Sequence, residues 1–138
     1  MMTSPGVAYS FAVLRVVPHP FLGTFVNVGV VLHARTAEFL GVRLLKDADT
    51  LQRCAPDVDL PLLLRYLDSC EAVARGNAAA GPIALLPTSE RFHWLTATRS
   101  DVLQCSPVHT GITPDPDTTL DALFDEEVAR PAAIRPAP

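Results

Sequence analysis

Apolar residues recur with a period of two over the first third of the chain and with a helical period after Asp47. From Ala8 to Val17 nearly every residue is β-branched, aromatic or small, and Pro18 ends the run. One face of this predicted strand carries Tyr9, Phe11, Val13, Arg15 and Val17; the other carries Ala8, Ser10, Ala12, Leu14 and Val16. Pro18-His19-Pro20 cannot donate ladder hydrogen bonds at its prolines and reads as a loop, with Gly23 releasing the chain into a second strand, Phe25 to His33. There Val26, Val28, Val30 and Leu32 alternate with Phe25, Asn27, Gly29, Val31 and His33. Ala34-Arg35-Thr36-Ala37 is short enough for a hairpin, and Phe39 to Leu45 returns as a third strand. Three consecutive antiparallel strands are the simplest topology.

Asp47 to Arg53 predicts one or two helical turns, closed by Pro56. Asp59 is placed to cap the next helix, with Pro61 in its first turn; Leu60, Leu63, Leu64, Leu67, Cys70 and Ala74 keep helical spacing as far as Gly76-Asn77. This helix supplies the apolar stripe that the face of Val26, Val28, Val30 and Leu32 requires, so those four residues are expected against it. Thr88 or Ser89 opens a short helix through Thr96, although Arg91 to Leu95 also alternates in the manner of a strand. Asp101 to Thr110 reads as an edge strand interrupted at Pro107. Asp115 then caps a last helix with Pro116 at its first position and Leu120, Leu123, Phe124 and Val128 on one side. The expected class is α+β: an antiparallel sheet of three N-terminal strands plus a later edge strand, with two to four helices packed on one face. Residues 1–130 are expected to form a single domain, and residues 131–138 a disordered Pro/Ala-rich tail.

Composition narrows the function classes. Of 15 acids and 11 bases, six acids and two arginines lie from Pro114 onward, so residues 1–113 carry nine of each. A neutral body without a basic stripe argues against general nucleic-acid binding. No apolar run reaches the ~18 residues a membrane helix needs, and the N-terminus lacks a signal-peptide pattern, so a cytoplasmic location is expected. Three cysteines, Cys54, Cys70 and Cys105, show no Cys-x-x-Cys spacing and read as buried small hydrophobes. His19, His33, His93 and His109 include no i, i+4 pair, so neither a metal site nor another cofactor is expected. The phosphate-binding glycine loops, the nucleophile elbow and the His-Glu-x-x-His pattern are absent.

Two polar groups stand out against this background. Thr98-Arg99-Ser100-Asp101 and Ser106-Pro107-Val108-His109-Thr110-Gly111 gather a guanidinium, hydroxyls and an imidazole that suit a phosphate or carboxylate, with His109 placed to act as a general base. The plainer reading has these side chains satisfying turn and edge backbone groups. Arg15 and Asn27 interrupt apolar strands, and a buried polar group costs ~1–3 kcal/mol unless bonded, so each needs a partner. The plainer reading puts Arg15 at a solvated edge and Asn27 at a bulge beside Gly29; the other places their partners in the 99–111 segment. Arg99, Ser100 and His109 are therefore the catalytic candidates, and Arg15, Asn27, Arg91, Ser106, Thr110 and Gly111 the ligand-binding ones.

Four stretches together, Tyr9 to Pro18, Phe25 to Leu32, Glu90 to Leu95 and Arg99-Ser100 through Ser106 to Gly111, resemble the bacterial family known as domain of unknown function 3037. The resemblance spans about residues 8–130. Asn27, Gly29, Arg91, Trp94, Arg99, Ser100, Ser106, His109, Thr110 and Gly111 match its characteristic positions, whereas Leu22-Gly23-Thr24 stands where the family tends to show Arg-Gly-Glu. It implies no established activity, and a gene neighbourhood with HipA-like kinase proteins. The expectation is a non-enzymatic interaction or regulatory module with a HipA-like kinase partner or a homodimer built by strand addition. The alternative is a small hydrolase or transferase acting on a phosphorylated or nucleotide substrate through Arg99, Ser100 and His109.

Overall fold

A computed structural model of the chain describes residues 6–17, 25–97 and 102–134. Strands β1 (Val7–Val16), β2 (Val26–Ala34) and β3 (Phe39–Leu44) form the expected meander, with a 3-10 turn at Arg35–Ala37 and Glu38 in the left-handed region (φ 49°) closing the second hairpin. β4 (Leu103–Cys105) and β5 (His109–Thr113) lie end to end along the other edge of β1, so the sheet has five antiparallel strands. The edge strand expected from Asp101 to Thr110 is thus two short strands parted at Pro107, which cannot donate to a ladder.

Both neighbours of β1 carry one residue more than β1 does across its middle. Leu14 pairs with Gly29 but Arg15 with Asn27, leaving Val28 as the extra residue of a bulge in β2. Phe11 pairs with His109 and Leu14 with Cys105, so three residues, Ser106 to Val108, oppose Ala12 and Val13. The bulge in β2 corrects one expectation. Val26 and Val28 face the same core as Val31, whereas Val30 and Leu32 face the opposite one. An inserted residue resets the period-two alternation, so a valine run that looks continuous in sequence changes sides.

Helix α1 (Ala48–Cys54) starts at Asp47, whose carboxylate accepts from the Thr50 amide at 3.0 Å. Helix α2 (Leu60–Ala74) starts at Asp59, which accepts from the Leu62 amide at 3.1 Å, and Pro61 occupies its first turn. Helix α3 (Thr88–Thr96) confirms the helical reading of the Arg91–Leu95 stretch; Pro87 holds the cap position without a side-chain bond. These three helices pack on one face of the sheet, where Ala12, Leu14, Val16, Val26, Val28 and Val31 meet Leu51, Leu63, Leu67, Phe92 and Leu95. Each such fully buried aliphatic side chain contributes about 1.5–3 kcal/mol.

Helix α4 (Pro116–Phe124), capped by Asp115, crosses the other face and covers Val30 and Leu32 with Leu120. The helices are therefore divided between two faces rather than collected on one. Gly41 permits this approach, because a Cβ there would meet Leu120 and the Phe39 ring at 2.8 Å. Arg43 anchors the helix, its Nε donating to Asp121 at 2.7 Å and its Nη2 to Asp117 at 2.8 Å. α4 continues through a π-helical segment, Asp125–Ala129, into α5 (Arg130–Ile134), so the backbone is helical past residue 130, where a disordered tail was expected to begin. Through Ala132, α5 reaches the first core. Among the described residues no helix is long and apolar enough to cross a membrane.

Candidate functional site

The structure assigns most of the polar residues singled out above to separate places. Arg15 and Asn27 are cross-strand neighbours on the α4 face. Of their expected partner segment, 99–111, residues 99–101 lie outside the described residues, and Gln104 stands opposite Arg15 on β4. Asn27 instead finds its partner 100 residues away, its Nδ2 donating to the Glu127 carbonyl at 2.9 Å. The cause is in the sequence: Pro131 lacks the N–H that an α-helix would supply to the carbonyl four residues earlier. Glu127 donor-seeking oxygen and Asn27 amide thus fit each other. Asn27 Oδ1 and Arg15 Nε are buried without a hydrogen bond, and the Arg15 guanidinium lies 4.0 Å from the centre of the Phe25 ring.

Arg91 stands on the other face. Its Nη1 donates to the carbonyls of Val73 (3.1 Å) and Ala74 (2.9 Å), and its Nε to that of Leu86 (2.8 Å). A cation at the C-terminus of α2 meets the negative end of that helix and satisfies carbonyls that have no intrahelical donor. Trp94, on the same helix, packs half-buried against the first core.

Ser106 is buried in the second bulge and serves Val13 twice. Its amide donates to the Val13 carbonyl and its Oγ accepts from the Val13 amide, both at 2.8 Å, while the hydroxyl donates to Pro107 O at 2.9 Å. A side chain replaces the carbonyl that the bulge has displaced from the ladder. His109, Thr110 and Gly111 belong to β5. The His109 ring is exposed and packs on Phe11 with centroids 5.3 Å apart. Gly111 leaves room for the Tyr9 ring, which a Cβ would meet at 2.5 Å. Asn27 and His109 do not share a cavity: on β1 they stand opposite Arg15 and Phe11, four residues and so roughly 13 Å apart. Arg99 and Ser100, like His19, lie outside the described residues.

What the fold does bring together is the far end of the α2 face. There an open depression of about 530 Å³ lies along β5, lined by Ala8, Tyr9, Ser10, His33, Arg35, Thr110, Gly111 and Ile112. Of the sequence candidates it holds Thr110 and Gly111. His33 and Arg35 were not singled out for a role, yet a histidine two residues from an arginine at a hairpin turn is a visible signal. His33 is buried, stacks on Phe92 with centroids 5.3 Å apart, and its Nε2 lies 3.1 Å from Thr88 Oγ1. Burial, then the charges of Arg35 and Arg91, hold its pKa below the ordinary 6.5. Ile112 is 77% exposed and Val108 48%. Among the described residues no element besides β1 forms a ladder with β5. No group of three or more His, Cys, Asp or Glu side chains that could hold a metal ion occurs among the described residues. The thiols of the buried Cys70 and the half-buried Cys105 are each pushed up to about 11, foremost by burial.

Fold and site together define a small α+β sheet protein with an open edge strand beside a shallow cavity. The family described as protein of unknown function (DUF3037) matches residues 11–128, and the chain belongs to that family. No curated protein and no solved structure matches it.

Proposed function

We propose that the protein is a non-enzymatic interaction module of the bacterial cytoplasm that receives an extended segment of a protein partner along β5. The observation that carries this reading is the outer edge of β5. Among the described residues it is unpaired; it is free of charged residues, exposes Ile112 and borders a cavity. Natural edges are commonly blunted by charges or covered, and an uncovered one is a template for strand addition. β3 at the opposite edge is guarded, with Arg43 held by Asp117 and Asp121 of α4. The family resemblance supplies the choice of partner, a HipA-like kinase protein; a second copy of the chain is the competing occupant.

Co-purification of the tagged full chain from its host tests the proposal. A stoichiometric HipA-like protein is expected from the wild type and its loss from Ile112→Lys, which puts a charge on the edge without touching the core. Recovery of no stoichiometric partner overturns the reading, and so does equal recovery by the variant. Sedimentation of the purified chain separates the two occupants: a dimer dissociated by the same substitution assigns the edge to a second copy.

A further inference from the structure

His33, Ser10 and Thr110 stand in one row across β2, β1 and β5, because Ser10 pairs with His33 on one side and with Thr110 on the other. With strands ~4.8 Å apart the row spans roughly 10 Å. Arg35, from the turn that follows β2, lines the same depression. We propose that this cavity is a binding site for a small molecule carrying an oxyanion, a phosphate or carboxylate, held by Arg35 and His33 over the hydroxyls of Ser10 and Thr110.

Three observations support an anion in particular. No acidic side chain lines the cavity. The exposed Arg35 guanidinium makes no ion pair or hydrogen bond with any described residue, so no fixed carboxylate neutralises its charge. His33 is fixed by Thr88 at Nε2 and by Phe92 against its ring, and it lines the cavity. The Thr88 hydroxyl can turn to donate to Nε2, which leaves the proton on Nδ1. A neutral His33 then offers an N–H donor, and Arg35 a forked pair of them. At about 530 Å³ the cavity also has room for the body of the ligand, against Ile112. The site goes beyond the edge-strand reading and does not depend on it.

Titration of the full chain with inorganic phosphate, and separately with acetate, followed by amide NMR at pH 7.5, tests the proposal. Saturable shifts are expected at Ser10, His33, Arg35 and Thr110. Arg35→Gln should weaken the tighter anion roughly ten-fold, the factor that one charge-assisted hydrogen bond supplies. Arg75→Gln, at an exposed arginine outside the cavity, should leave binding unchanged. A preference for phosphate or for acetate names the group the site takes. The His33 ring protons give a second readout. A bound oxyanion offsets the charge of Arg35, leaving that of Arg91 from α3, so the titration midpoint of His33 should rise. Absence of saturable shifts in the cavity overturns the proposal, as does binding that Arg35→Gln leaves intact.

Discussion

Ser106 offers the sharpest test of how this sheet is held together. Ser106→Ala removes the oxygen that accepts from the Val13 amide, and Val13 is 4% exposed, so no water replaces it. Leaving a buried N–H unsatisfied costs about 1–3 kcal/mol, and the donor to Pro107 O is lost as well. For a chain of 138 residues the unfolding entropy is about 290 cal/mol/K, so a loss of about 2 kcal/mol corresponds to a fall of about 7 °C in Tm. Thr110→Val deletes an exposed hydroxyl from the neighbouring strand and should stay within about 0.5 kcal/mol. Urea and thermal unfolding measure both, and amide exchange reads the cause: Val13 should lose protection in Ser106→Ala beyond the global change. A loss under about 0.5 kcal/mol with Val13 still protected would refute the reasoning.

Arg91→Lys should destabilise the fold by about 1–3 kcal/mol in urea unfolding, nearly as much as Arg91→Met, because an ammonium cannot reach the carbonyls of Val73, Ala74 and Leu86 from one stem. His33 gives stability a pH dependence. Its folded pKa lies below the ordinary 6.5, so the unfolded chain takes up more protons as pH falls through 6.5. The contribution is fully present above that value and is lost below it; thermal unfolding from pH 7.5 to 5.5 should show the decline, and His33→Gln should flatten it. Cys70 and Cys105, with thiols near 11, should resist iodoacetamide at pH 8 in the folded chain and react once urea unfolds it. Prompt labelling of the native protein would contradict their burial.

Local patterns were legible wherever one physical signal dominates. The Asp59-Leu60-Pro61 start of α2 and the Asp115-Pro116 start of α4 each combine a capping carboxylate with a proline that needs no donor, and both helices begin there. The hairpin at Arg35–Ala37 followed from chain length between apolar runs. The sides of β2 did not. This strand is buried on both faces, so apolar residues occupy both registers and the alternation that would betray a bulge is erased. Asn27 and Gly29 were the trace that remained. The partner of Asn27 was hidden for another reason, since it is a backbone carbonyl freed by Pro131 and no side-chain pattern advertises it. Ser106 was legible as a polar residue beside a proline, and its plainer reading, a hydroxyl serving edge backbone, describes the bond it makes to Val13. Only the fold brings His33, Arg35 and Thr110 to one cavity, because β5 returns to β1 from the far end of the sequence.

That return has a consequence for how the protein is made. β1 leaves the ribosome before the other strands of its sheet, yet its second edge is closed by His109–Thr113, about a hundred residues later. At roughly 5–20 residues per second the strand waits on the order of 5–20 s with one row of amides and carbonyls unpaired. Such an edge recruits other chains while it is open. Yield in a heterologous host should therefore depend on how fast the message between β1 and β5 is read, and on chaperones that hold β1 in the interval, even for variants whose finished fold is as stable as the parent's.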